Sequence, residues 1–383
     1  MQIRKRALLR RAAVAALFLF VLEICARIDD VIRWNAPFFK IYSVDNLFGF
    51  DDEGIPINIP KSRFEKWHNN SFGFRGPEIS LTKPPGIIRI ICMGTSETYG
   101  TSESPGHEWP TQLGQTIAEH NSFEIINTAG PGFSFQYYRR FFEKYIQSFD
   151  PDVVILIPNP YFHAIRSVRA HYAKQSDTAN SRKARNRLRA PNPSILSHIR
   201  ILPKVKRSLK RILPQSIQRR YYIYTFKRLI ARAEKLLPSY EFPLDAVPEY
   251  CVTSYQEELI NLIFTIKKNN IRIILGAYPS LMNDANIDLY PELFLGFRNF
   301  GVEFSFRGEM DISRKYKEAT RSLADQLGLI FVDTEELVPK DTLHFSDNVH
   351  FTDAGARVVA NAFGLAIAKL FSKSLHQEKT GMH

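Results

Sequence analysis

From Gly86 onward the sequence alternates short apolar runs with segments of helical length. That alternation restricts the chain to strands joined by crossover helices, and so to a parallel sheet. The run at 87–93, IIRIICM, is apolar almost without break, as a central strand covered on both faces must be. Next along the chain are a helix over 107–120, the strand FEIINT (123–128), a helix over 136–148 and the strand DVVILI (152–157). After an interruption come a helix over 254–269, the strand IRIILGA (271–277), a helix over 313–327, the strand LIFVD (329–333) and an amphipathic helix over 352–372. Five parallel strands with four or five crossovers predict an α/β fold: a flavodoxin-like, three-layer α/β/α arrangement around a five-stranded parallel sheet.

The N-terminus carries Arg4, Lys5, Arg6, Arg10 and Arg11 ahead of an apolar run from Ala12 to Leu22, broken by Glu23 and closing at Ile28. A basic flank before an apolar stretch keeps the N-terminus in the cytoplasm and exports the chain beyond the stretch. The run is short for a bilayer span, but reaches that length from Ala7 if Arg10 and Arg11 snorkel. The residues LEICA offer neither a clean signal-peptidase site nor a good lipoprotein box, so an uncleaved single-pass transmembrane helix is expected, with the remaining chain on the extracytoplasmic, periplasmic side; a cleaved signal peptide and a buried or interfacial helix are the alternatives.

The net charge of +12 is unevenly spread. Between Tyr161 and Lys235 there are 20 Lys and Arg against only Asp177 and Glu234. Such a segment suits nucleic acid, anionic lipid headgroups or an anionic polysaccharide, and export disfavours nucleic acid. An anionic surface met through residues 166–235 is one expectation, and a merely solvated helical insertion is the alternative. The resulting organisation is an anchor at 1–30, a covering segment at 31–84, an α/β domain at 85–160 and 246–375, and a basic helical insertion at 161–245. Cys25, Cys92 and Cys251 form no disulfide framework and no metal-ligand spacing. Cys92 reads as a buried strand residue.

In an open parallel sheet the reactive groups lie beyond the carboxyl ends of the strands. After the first strand comes GTSETYG, with Ser96 between Gly94 and Gly100. A serine hydroxyl needs a base to attack, and a loop ahead of a helix offers backbone N–H groups to an oxyanion. After the second strand, NTAGPG presents Gly132, whose N–H no side chain obstructs; a plain turn glycine is the alternative. After the third, PNPYFH presents Asn159, either an oxyanion donor or a turn residue between prolines. After the last comes DTLHFSDNVHFTDAG, in which Asp347 and His350 sit within one turn, the carboxylate positioned to take the imidazole Nδ1–H while Nε2 faces the serine. Asp353 suits the opening of the final helix, and His344 reads as a loop or surface histidine.

Taken together, these blocks resemble the SGNH (GDSL-like) hydrolase superfamily, whose four blocks supply Ser, Gly, Asn and His in that order. The resemblance covers roughly 86–160 and 250–372. Thr95 stands where the family has Asp in its GDS, Gly132 falls at the oxyanion glycine counted from Asn127 with Gly130 as the fallback, and Asn159 is followed by Pro160 where the family has Asp. Asp347, His350 and the small Gly355 fit the fourth block. The segment NNSFGFRGPE also resembles one that precedes the first block in membrane-anchored bacterial members. The resemblance implies a catalytic triad of Ser96, His350 and Asp347, an oxyanion hole from Ser96, Gly132 and Asn159, and no cofactor or metal. The expected reaction is hydrolysis of O-acyl esters, acetyl above all, on cell-envelope or exported carbohydrate. Acyl transfer to such a glycan, lysophospholipase or lipase action, and a non-catalytic envelope-binding module are the alternatives.

Overall fold

The computed structural model describes residues 2–40, 42–117, 123–175, 199–202, 204–205, 217, 224, 243–289 and 303–380. Most of the basic insertion, 176–198 and the greater part of 206–242, lies outside them, as do 118–122 at the end of one expected helix.

Strands β1 (Ile88–Met93), β2 (Phe123–Asn127), β3 (Val153–Leu156), β4 (Arg272–Gly276) and β5 (Ile330–Val332) form one sheet in the order β2-β1-β3-β4-β5. Every neighbouring pair is parallel. This is the flavodoxin-like order expected, and its direction of winding reverses between β1 and β3, where a crevice opens beyond the strand ends. Register fixes that edge: Cys92 lies opposite both Asn127 and Ile155, so the chains leaving β1, β2 and β3 emerge at one level.

Helices cover both faces. On one, α2 (Trp109–Ile117) packs against α6 (Asp353–Thr380); on the other, α3 (Pro160–Gln175), α4 (Glu249–Lys267) and α5 (Phe306–Gln326) pack together. Between the layers Ile90, Ile91, Val153, Val154, Ile274 and Leu275 are buried, as unbroken apolar strands require. The Trp109 and Phe363 rings stack at 5.0 Å. A Cβ on Gly276 would stand 2.8 Å from the Phe363 ring, so that glycine lets α6 close on β4. The basic stretch begins as a core helix: α3 buries Tyr161, His163, Ala164 and Val168. Helix α5 starts seven residues ahead of the expected 313 because Ser305 caps it, its Oγ accepting from Gly308 N at 3.2 Å. Helix α4 starts at Glu249, directly after Pro248, five residues ahead of the expected 254.

One charged residue interrupts β1, and the fold uses it. Arg89 is fully buried and donates to the carbonyls of Ser80 (3.0 Å), Leu81 (3.0 Å) and Phe149 (2.6 Å), which ties the covering segment to the sheet. That segment holds two short antiparallel pairs, Phe48–Phe50 with Pro56–Asn58 and Arg63–Phe64 with Trp67–His68, and Arg75 bridges onto Asn127 at the end of β2.

The N-terminal helix α1 runs from Gln2 to Trp34 without a break, and Val14, Leu17, Phe18, Leu19 and Phe20 on it are 59–68% exposed. Among the described residues the stretch long and apolar enough to cross a bilayer is Asp353–Ser372. That stretch is a core helix, burying Ala356, Val359, Ala360 and Phe363.

Candidate active site

Ser96 opens a short helix, Ser96–Tyr99, one tight turn after β1. The turn needs its glycines: a Cβ on Gly94 would lie 2.1 Å from Thr98 Oγ1, and Gly100 closes the helix in the left-handed region at φ 84°. Being first in its helix, Ser96 has a backbone N–H without an intrahelical acceptor.

Asp347 and His350 occupy the tip of a tight loop gripped by two buried rings. Phe345 bridges Phe351 at its base, the two rings 5.6 Å apart. At the tip, Asp347 Oδ1 accepts from the backbone N–H groups of Val349 (3.0 Å) and His350 (2.8 Å). Its other oxygen, Oδ2, is 2.7 Å from His350 Nδ1, and His350 Nε2 is 2.7 Å from Ser96 Oγ. A carboxylate at Nδ1 fixes the tautomer: Nδ1 carries the proton and Nε2 presents its lone pair to the serine hydroxyl. Ser96, His350 and Asp347 thus form one continuous hydrogen-bonded line.

Burial alone would lower the pKa of His350, but the hydrogen bond and charge of Asp347, with smaller contributions from Glu97 and Glu103, hold it above the ordinary imidazole value. For Asp347, burial raises the pKa, and the His350 contact with the two backbone donors more than offsets that, leaving the carboxyl below its usual range.

Asn159 is buried and caps α3: its Oδ1 accepts from Tyr161 N (3.0 Å) and Phe162 N (3.2 Å). Pro160 fits there because the first helical position needs no N–H. With its oxygen so engaged, the amide turns its NH₂ to Thr95 Oγ1 at 3.3 Å, one residue from Ser96. Gly132 lies on the loop after β2, exposed, at φ 75°, with open space where a Cβ would be. Asn127 pins that loop to the serine helix by donating to Thr98 O at 2.8 Å. Gly130 is buried instead, and a Cβ there would meet the Phe133 ring at 2.3 Å.

Two carboxylates beside the Ser96–His350–Asp347 line carry no motif that would have singled them out. Glu97 is fully buried and accepts from Thr95 N (2.9 Å), Thr95 Oγ1 and Thr98 Oγ1 (3.1 Å), so Thr95 bridges Glu97 and Asn159. Glu103 is buried with no hydrogen bond to Oε1 among the described residues, and its burial pushes its pKa up to about 8. The only available signal was placement, one and seven residues after Ser96.

His344 is half-buried and pairs with its own aspartate, Asp341 Oδ1 at 2.8 Å. Capping of α6 falls to Thr352, which accepts from Gly355 N at 3.3 Å, while Asp353 reaches across to accept from Ser104 N at 2.7 Å. Among the described residues, the carboxylates near enough to share a cation are Asp51, Asp52 and Glu53, and Lys144 already contacts all three. Cys92 is buried in β1, and that burial pushes its thiol well above the usual range.

No family model and no curated protein matches the chain. Among solved structures it is similar to a lipase/acylhydrolase from Enterococcus faecalis, with 14% identity and a TM-score of 0.41 over 73% of this chain and 95% of that one. It is also similar to an acetylxylan esterase from Geobacillus stearothermophilus, with 13% identity and a TM-score of 0.39 over 73% and 94%. This is likeness of fold outline. The chemistry rests on the side-chain geometry above.

Proposed function

We propose that the chain is a serine-dependent ester hydrolase of the SGNH type, acting on O-acyl groups, acetyl above all, of cell-envelope or exported carbohydrate. The observation that carries this is the line from Asp347 through His350 to Ser96, with both contacts at 2.7 Å. In acylation, His350 Nε2 takes the Ser96 proton as Oγ attacks the ester carbonyl. The backbone N–H groups of Ser96 and Gly132 and the Asn159 amide stabilise the oxyanion. Collapse returns the proton from His350 to the departing sugar oxygen and leaves acyl-Ser96. Water, deprotonated by the same imidazole, then releases the carboxylic acid and restores the serine. Ser96 and His350 both stay partly exposed, which admits an ester carried on a large glycan.

Helix α1 serves as the membrane anchor in this reading. Apolar side chains from Val14 to Phe20 are exposed, as suits a helix whose solvent is lipid. The test pairs fluorophosphonate labelling with turnover of p-nitrophenyl acetate and acetylated xylan. Wild-type protein should label at Ser96 and release acetate, and Ser96→Ala should do neither. A folded wild-type protein that never labels would instead favour a non-catalytic envelope-binding module.

A further inference from the structure

We infer that the last turns of α1, the loop after it and residues 200–202, 204 and 205 of the insertion form one rigid platform that seats on the anionic headgroup layer of the bilayer α1 spans. This rests on the reading of α1 as an anchor and adds where the insertion sits.

Glu23 is the charge that ends the apolar run of α1. Its carboxylate accepts from the backbone N–H groups of Arg200 and Ile201, both at 3.0 Å, and from Arg27 Nε at 2.8 Å. Two turns further on, Asp30 pairs with Arg200 at 2.9 Å, both side chains nearly inaccessible, and Lys204 adds contacts to Asp29 and to Asp30 at 2.7 Å. The insertion is therefore bolted to the anchor at the level where the helix changes from apolar to charged. The contacts run from Glu23 to Asp30, across the end of the span counted from Ala7 to Ile28, and so at the membrane–water boundary of a spanning helix.

The same arginines shape the loop. Arg27 donates to Phe38 O at 2.7 Å and Arg200 to Pro37 O at 2.6 Å and to Lys40 O. Held this way, Phe39 projects with 87% of its surface exposed. Ile32 at 71%, Leu202 at 45% and Val205 at 46% are further exposed apolar groups of the platform, and Lys204 lies over the Trp34 ring at 5.1 Å. An aromatic pinned outward by buried ion pairs, with aliphatics and cations around it, matches the composition of a membrane interface. The sequence directly after the platform, from Lys206 to Lys235, carries ten Lys and Arg against Glu234 alone, an excess of the kind that an anionic leaflet attracts.

The full chain, with Cys25→Ser, is reconstituted in nanodiscs of pure phosphatidylcholine or with one third phosphatidylglycerol. Spin labels at Leu17→Cys, Phe39→Cys or Leu202→Cys are read by collision with oxygen and with a nickel chelate. We expect the 39 and 202 labels to show headgroup-level depth in the anionic discs, with nickel accessibility several-fold below that in the neutral discs. Arg200→Ala should return the 202 label to water. A deep label at 17 with labels at 39 and 202 fully water-accessible would overturn the platform and spare the anchor; a water-accessible label at 17 would overturn the anchor itself. Protection of 202 only on adding polygalacturonate would assign the surface to acidic glycan instead.

Discussion

The loop after β5 contains the pattern D-x-x-H twice, Asp341 to His344 and Asp347 to His350, and each pair closes on itself at 2.7–2.8 Å. Only the second imidazole reaches Ser96, so spacing alone could not separate them; the position of the second pair just ahead of the final helix did. The Asp347 charge also sets the pH response. Because His350 is held above the ordinary imidazole value and attack needs it neutral, turnover should rise with pH through a midpoint above 6.5. Asp347→Asn should move that acid limb to lower pH, while costing about 10⁴-fold in turnover through loss of the correct tautomer. A pH–rate profile on p-nitrophenyl acetate reads both effects, and an unmoved limb would mean the titrating group is not His350. Asn159 has two duties that can be parted. Asn159→Ser keeps a capping oxygen and removes the amide donor, so turnover should fall about a hundredfold with little change in Tm. Asn159→Ala should lose that and about 1 kcal/mol of stability as well. Turnover unchanged in the serine variant would remove Asn159 from the oxyanion hole. Neither Glu97 nor Glu103 was legible in the sequence, because burial and not spacing makes a carboxylate matter there.

At the scale of elements, the central strands β1, β3 and β4 were legible because each is a run of side chains buried on both faces, and the half-buried edge strands β2 and β5 because each is still a short apolar run between polar segments. Helix ends were less so. α4 and α5 begin five and seven residues ahead of the expected start, because a proline and a serine cap set those ends while the apolar pattern begins later. The expected helix over 136–148 is a succession of 3₁₀, α and π turns, whose apolar spacing resembles that of one α-helix. The loop carrying Asp347 and His350 itself depends on a neighbour in α6. A Cβ on Gly355 would stand 2.1 Å from the carbonyl oxygen of His344, which also receives Thr352 N at 3.0 Å and so closes the base of the loop carrying Asp347 and His350. Gly355→Ala must push that backbone aside. We expect it to lower Tm and to cut turnover at least tenfold, with fluorophosphonate labelling slowed in step; normal labelling at a lowered Tm would show that the loop moves as a rigid body and keeps the triad.

Across the whole molecule, the covering segment is joined to the loop behind Ser96 by charge. Arg75 and Glu108 pair with side chains only 5% and 4% exposed, and Arg75 also donates to Lys66 O at 3.0 Å while Lys66 Nζ donates to Glu103 O at 2.9 Å. Glu108 in turn accepts from Gly106 N at 3.0 Å, inside the loop that leads from the Ser96 helix to α2. Residues 31–84 read as a mere cover in the sequence because no periodicity marks a segment held by two-residue and three-residue strand pairs and isolated polar contacts. The energetics of such a pair are asymmetric: removing one member leaves a buried charge unmatched, while replacing both by apolar groups of similar volume is often neutral. Arg75→Ala should therefore cost about 3–5 kcal/mol, seen as a large fall in the denaturant midpoint. The double replacement Arg75→Met with Glu108→Leu should recover most of that stability, since no charge is then stranded. Turnover should part from stability in the double variant. Without the Glu108 oxygens, Gly106 N loses its acceptor, the loop beside Ser96 loosens, and turnover should stay below wild type although the fold is restored. Recovery of both together would show that the covering segment acts on stability alone.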